Sequence, residues 1–225
     1  MVQNHPHSTV VLAMSADGKI ADFQRAPARF GSIADKTHLE KQIADSDAVI
    51  FGADTLRAYG TTLTVSDPIL LQQRKSTQPI HIVISLSANL NPEIKFFQQP
   101  VRRWLITAKQ GANLWQGRSE FERILVFETP TGEIDILAVW EHLATLHITR
   151  LAILGGGKLV ASLLESNLID EFWFTICPLI LGGAIAPSPV AGGGFVSNLA
   201  PKLELLEVYT VEQEVFLHYR LQRNN

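Results

Sequence analysis

Apolar residues fall in short blocks separated by polar turns, and blocks with the strand period alternate with blocks of helical period. Residues 8–14 (STVVLAM), 47–52 (DAVIFG), 79–85 (PIHIVIS), 101–107 (VRRWLIT), 123–128 (RILVFE) and 150–154 (RLAIL) are short, apolar and rich in β-branched side chains. That pattern predicts buried strands. Between them, 35–46 reads as a helix with Leu39 and Ile43 inward, and 53–63 begins as a helix and ends in a Gly/Thr loop. Residues 129–147 carry Ile136, Leu137, Trp140, Leu143 and Ala144 near helical spacing, with Thr131 as the expected N-cap. Residues 155–166 run from a glycine turn into an apolar-faced helix. Residues 168–181 form a long strand-like run broken at Pro178, followed by a Gly/Ala/Pro loop over 182–194. Residues 203–210 and 214–221 alternate, predicting a hairpin that turns around 211–213. Buried strands alternating with helices imply an α/β fold, a mainly parallel central sheet covered on both faces, with the antiparallel C-terminal hairpin at its edge.

Composition narrows the function classes. A chain of 225 residues, 46% of them hydrophobic, is long enough to bury a full core without staples. No linker and no repeat divides it, so a single domain over 1–225 is expected. The net charge of −3 and the lack of a basic run argue against nucleic acid as the partner. The one cysteine, Cys177, cannot form an internal disulfide. No apolar stretch is long enough for a bilayer and no signal-like start is visible, which leaves the cytoplasm as the default and a membrane as no partner. The seven histidines show no metal-ligand spacing, and His5 and His7 are expected in a frayed terminus.

Three segments could carry chemistry. In AILGGGKLVASLL (152–164) a strand ends in three glycines and a helix starts at once. Bare backbone and free helical N–H groups are what a phosphate needs at close approach, and ligands of open α/β sheets sit at the carboxyl ends of strands. A tight turn that needs only glycine flexibility is the plainer alternative. In VVLAMSADGKIAD (10–22), Ser15 and Asp17-Gly18 follow a strand end, either as a contact loop for substrate or nicotinamide or as a surface turn. In IFGADTLRAYGTTL (50–63), Gly52 ends a strand and Thr55 and Arg57 follow. Arg57 suits an anion, although most arginines are simply solvated. Asp170 and Glu171 look like a carboxylate pair but, as neighbours at a strand entry, point to opposite faces.

Together the stretches AMSADGKIAD, DAVIFGADTLRAYGTTLT and LGGGKLVASLLESNLIDEFWFTICPLILGG resemble, in order, the RibD C-terminal family of riboflavin-biosynthesis pyrimidine reductases. The resemblance implies a dihydrofolate-reductase-like three-layer αβα fold and an NADPH-dependent oxidoreductase, with NADH the weaker choice of cofactor. It also implies a homodimer and a small-molecule substrate, a ribosylaminouracil 5′-phosphate whose ribosylamino side chain is reduced by hydride transfer. It places Ala13 and Met14 beside the nicotinamide, Gly52 and Thr55 on the dinucleotide, and Ser85 near the adenosine phosphates. Gly155, Gly156, Gly157, Lys158 and Leu159 would cradle the pyrophosphate. Ser15, Gly18, Arg57, Tyr59 and Leu63 fall on the substrate side, and Asp17 is the nearest carboxylate for polarisation or proton relay. The chain departs from the family where Lys, Asp, Arg and Glu are usual, at Val11, Tyr59, Ser66 and Leu154, and lacks an Arg around Ile43. These departures keep two rival readings open: a related reductase acting on another small heterocycle, and a catalytically silent dinucleotide-binding protein.

Overall fold

The structure, a computed structural model, describes residues 5–223. In chain order its elements are β1 His7–Ser15, α1 Ile33–Ala44, β2 Ala48–Gly52, α2 Ala53–Tyr59, α3 Pro68–Gln73, β3 Ile80–Ile84, β4 Arg103–Thr107, α4 Lys109–Leu114 and β5 Arg123–Val126. They continue with α5 Ile136–Thr145, β6 Arg150–Ile153, α6 Gly157–Glu165, β7 Glu171–Cys177, β8 Lys202–Val211 and β9 Glu214–Gln222. Two compact units form, one built mainly on Glu40–Ala152 and the other on His7–Leu39 and the chain from Ile153 onward. The fold is α/β with mainly parallel strands and an antiparallel C-terminal hairpin.

In the first unit the strand order is β5-β4-β3-β2-β6, and β2, β3, β4 and β5 pair in parallel. Every residue of β3 is buried, and so are all but the last of β2. Parallel strands covered on both faces need that continuous apolar content rather than alternation. Asp47, just before β2, fixes the start of β6. Its carboxylate accepts from Thr149 N and Oγ at 2.8 Å each and from Arg150 N at 2.9 Å.

In the second unit the order is β1-β7-β9-β8, with β1 parallel to β7 and the last three strands antiparallel. Val11, Trp173 and Phe216 form an apolar cluster packed by Ala34 and Leu39 of α1, by Leu154 and by Tyr209. The Trp173 ring stacks on His218 with centroids 4.1 Å apart.

Several expectations shift. His7 opens β1 and is not part of a frayed end. The first helix begins at Ile33, earlier than expected, because the Ser32 hydroxyl caps it, accepting from Ala34 N at 3.0 Å and Asp35 N at 3.2 Å. The helix expected over 129–147 is shorter, Ile136–Thr145, and its N-cap is Asp135, which accepts from Ala138 N at 3.1 Å. Thr131 instead meets Thr129 Oγ1 at 2.8 Å in the preceding turn. The strand expected over 168–181 is confined to Glu171–Cys177. Asp170 and Glu171 do not part as fully as expected: Asp170 accepts from Ser8 N and Arg223, Glu171 from Arg220, with His218 Nε2 at 2.9 Å, but the His7 ring lies within 4 Å of both carboxylates, 3.7 Å from Asp170 and 3.6 Å from Glu171.

Candidate functional site

The candidate residues lie at the carboxyl ends of strands in both units. In the second unit, β1 delivers Ala13, Met14 and Ser15 opposite Thr175, Ile176 and Cys177 of β7. Successive residues alternate faces, so Ala13 shares a face with Thr175, and Met14 points to the other. Beyond the strand the chain turns tightly. Gly18 adopts φ +76°, which a side chain would strain. Ser15 Oγ donates to Asp17 at 2.6 Å and accepts from Lys19 N at 2.9 Å.

Asp17 is fully committed to structure. Its carboxylate also accepts from Leu181 N at 3.1 Å and Gly182 N at 2.7 Å. The Ser15 hydroxyl and then the Leu181 amide hold it down at about 2. A carboxylate that stays ionised and saturated with donors braces two loops and has no proton to give near neutral pH.

The glycine corner divides its duties. Gly155 is buried at φ +105°, a conformation reserved for glycine. Gly156 is the N-cap of α6 and supplies no side-chain cap, so the first turn of this nine-residue helix opens on bare backbone. Gly157 is bare for a different reason: a Cβ there would overlap Ser188 O, and its own carbonyl accepts from Ala191 N at 3.0 Å. The third glycine therefore serves the 188–191 loop. Leu159 is buried and Lys158 exposed. The same long loop reaches the β1 turn, through Ala16 N to Leu179 O and Ile20 N to Pro187 O, both 2.9 Å. The structure thus gathers Ser15, Asp17, Gly18 and the start of α6 around residues 179–191.

In the first unit, Gly52 at the end of β2 pairs with Ile84, directly before Ser85. Gly52 N-caps α2 without a side-chain bond, and Thr55 lies half-buried in the first turn. Ser85 Oγ accepts from Ala88 N at 3.0 Å, closing a turn. Arg57 is engaged by protein: it donates to Asp54 at 2.6 Å and through Nε and Nη2 to Asn89 O at 3.2 and 2.9 Å. Its structural duty is to tie α2 to the 85–89 turn. Tyr59 is exposed at the end of α2, and Leu63 is half-buried in the loop beyond.

Sequence reasoning missed a polar group on the Ala13–Thr175 face. Asp35, in the first turn of α1, accepts a hydrogen bond from Thr175. Glu214 lies beside it and accepts from Ser32 N at 2.8 Å, Ser32 Oγ at 2.5 Å and Cys177 Sγ at 3.5 Å. Burial, and then the Glu214 charge, raise Asp35 above the usual carboxylate range, and burial with the same carboxylates pushes Cys177 up to about 12. As a single acidic residue near a helix start, Asp35 carries no signal beyond that of an ordinary first-turn residue; only the pairing of β7 with β9 reveals its neighbours. Upstream on the same face, Val11 and Leu154 pack into the cluster around Trp173.

Among the described residues no helix is long and apolar enough to cross a membrane. None of their His, Cys, Asp and Glu groups has the makings of a metal site.

The family model described as RibD C-terminal domain matches residues 6–217. A 2,5-diamino-6-ribosylamino-4(3H)-pyrimidinone 5′-phosphate reductase of Archaeoglobus fulgidus is 27% identical over 197 residues, 86% of this chain and 90% of the relative. Among solved structures, Acinetobacter baumannii RibD superposes with a TM-score of 0.82 at 20% identity, over 99% of this chain. This chain spans 59% of that RibD. A dihydrofolate reductase of Enterococcus faecalis, solved with NADP(H), superposes with a TM-score of 0.53 at 12% identity. The fold is therefore RibD-like and dihydrofolate-reductase-like.

Proposed function

The chain belongs to the RibD C-terminal domain family, and from that premise we propose that it is an NADPH-dependent reductase of the riboflavin-biosynthesis type. Its substrate is a ribosylaminopyrimidine 5′-phosphate, it works in the cytoplasm, and it acts as a homodimer. Bound NADPH would supply the hydride. The protein's share is orientation and a dry site.

The observation that carries the reading is the glycine corner. A buried strand ends at Ile153, Gly155 and Gly156 keep Cβ atoms out of the corner, and α6 begins with no side-chain cap. Main-chain amides and the positive end of a helix fit a diphosphate there. Gly52, opening α2 without a cap, has the same character in the other unit. Ala13 offers a surface small enough for a flat ring to approach β1. One observation favours a narrower alternative: Val11 and Leu154, at positions where the family usually carries Lys and Glu, are packed against Trp173. That apolar patch suits a related heterocycle that makes fewer polar contacts.

Two measurements test the reading. Gly156→Asp puts a negative side chain where the diphosphate would lie. In a fluorescence titration it should lose NADPH binding by roughly a hundredfold or more while keeping its melting temperature within a few degrees, by analogy with other buried anion-site losses. Unchanged affinity would make the corner purely structural. Complementation of a riboflavin auxotroph lacking only the reductase step should restore growth; no growth from an expressed, folded chain would favour another substrate.

A further inference from the structure

Resting on the reductase reading, we infer that Gln78 and Gln99 are positioning residues for the substrate. Their side-chain amides hold the loop 61–67 in one shape, so that Leu63 is in place before the pyrimidine arrives.

Residues 61–67 form no helix or strand. Among the described residues, no main-chain group of 61–66 bonds to another main-chain group. Side chains from elsewhere take that part. The Gln99 amide grips Thr62 twice: Oε1 accepts from Thr62 N at 2.9 Å and Nε2 donates to Thr62 O at 2.9 Å. The Thr61 hydroxyl donates to the same Oε1 at 2.7 Å. The Gln78 amide repeats the grip on Val65, accepting from Val65 N at 3.0 Å and donating to Val65 O at 2.8 Å. Each amide imitates a residue of a neighbouring strand, which offers the residue it faces one acceptor and one donor. Both amides stand on the sheet. Gln78 lies just ahead of β3, and Gln99 O accepts from Arg103 Nη1 at the start of β4 at 2.6 Å. The loop's ends are pinned as well. Phe96 N donates to Gly60 O at 2.9 Å, and Glu40 accepts from Ser66 N, from Ser66 Oγ at 3.0 Å and from Asp67 N at 2.7 Å.

Where the grips fall shows what they are for. They hold Thr62 and Val65 and leave Leu63 and Thr64 between them. Val65 is turned inward and buried, while Leu63 and Thr64 are only half-buried. Leu63 is the residue that resemblance to the family sets on the substrate side. Water can satisfy the backbone groups of a half-exposed loop. Satisfaction alone therefore does not call for two glutamines, each ordered at an entropic cost. Fixing the loop's shape does call for them. A loop without hydrogen bonds of its own otherwise samples many shapes, and ligand affinity falls with the fraction of molecules that hold the competent one. The grips raise that fraction ahead of binding, which strengthens substrate binding and leaves the chemical step alone.

The test measures kcat and KM for 2,5-diamino-6-ribosylamino-4(3H)-pyrimidinone 5′-phosphate in native protein, Gln99→Met and Gln78→Met. NADPH affinity and melting temperature serve as controls. Met keeps the length of the side chain and removes both the donor and the acceptor. Each variant should raise KM at least about tenfold, the scale of losing a pair of hydrogen bonds. Its kcat should stay within about twofold of native and its NADPH affinity should not change, because only a binding contribution is lost. If one variant does not fold, the other decides alone. An unchanged KM in either folded variant, or kcat and NADPH affinity that fall together with substrate affinity, overturns this inference and leaves the reductase reading standing. Loss of fold in both makes the amides purely structural and overturns it too. Native protein that does not turn over this substrate overturns both.

Discussion

At the scale of single residues, position in the sequence and duty in the fold separate. Asp17 looked like the carboxylate nearest the chemistry, yet three donors hold it as a brace: Ser15 Oγ and the Leu181 and Gly182 amides, with Ser15 in turn accepting from Lys19 N in the turn that follows. Asp35 lay inside a segment read as an ordinary helix start. Its surroundings come from residues far away in sequence, Thr175 and Glu214, and no local pattern could supply them. The thiol of Cys177 gives a plain check on this environment. Fully buried and pushed up to about 12, chiefly by burial and then by Glu214, it should resist alkylation in the folded protein at pH 8 and react at once in denaturant. Rapid labelling of the native state would contradict this packing. In the other unit, His81 is buried on β3, with Nδ1 3.1 Å from Thr62 Oγ1, and burial followed by the Arg103 and Arg74 charges lowers it to about 3. The unfolded chain takes up that proton at its ordinary value of 6.5. Below pH 6.5 that uptake draws the equilibrium toward the unfolded state, and His81 alone should cost about 1.4 kcal/mol of stability per pH unit as pH falls toward 3. Urea titrations of native protein and His81→Gln at several pH values should differ in that slope; parallel curves would mean that His81 protonates freely when folded.

At the scale of elements, the long apolar blocks were legible and the short capped ones were not. β2, β3, β4 and β6 fall inside the runs that hydropathy marks, because strands buried on both faces are mostly apolar, with polar residues such as Arg103 and Arg150 kept to their ends and His81 the exception within β3. The six-residue helices α3 and α4 have too little length for a period to show. α3 did leave a local trace: Asp67 caps it, accepting from Ile69 N at 2.8 Å and Leu70 N at 3.1 Å, with Pro68 in the first turn. α4 left none, since Ala108 provides no cap. Its glycine is a packing requirement: a Cβ on Gly111 would overlap Thr107 Oγ1 and press on Leu86 O and Ala88. Gly111→Ala, which propensity alone would rank as stabilising by about 1 kcal/mol, should instead destabilise by roughly 1–3 kcal/mol. Thermal melts decide the sign. The start of α5 teaches a related lesson. Thr131 and Asp135 are both good caps by type, and the apolar positions from Ile136 onward are what select Asp135.

At the scale of the molecule, the second unit ends in β8, the outermost strand of its order, where Leu203, Leu205, Val208 and Val211 are 38%, 51%, 54% and 37% exposed. A long apolar edge strand left in water is an aggregation hazard unless something covers it, and a second copy is the occupant that the homodimer proposal requires. Leu205→Lys with Val208→Lys should then convert a dimer to monomer in analytical ultracentrifugation; a native chain already monomeric at micromolar concentration would remove that proposal. The family and fold were legible because glycine-rich strand ends and buried strands are local features. The surroundings of Asp35 were not, because that face is assembled from α1, β7 and β9, far apart in sequence.

The central claim is that this chain carries hydride from a dihydronicotinamide to a ribosylamino carbon. Its most direct test supplies NADPH deuterated at the transferring position and reads the product by mass spectrometry. A single deuterium on the former C1′ of the sugar, in a ribitylamino product, is the predicted result. A reduced product without the label, or labelled NADPH left intact beside unconsumed substrate, would contradict it.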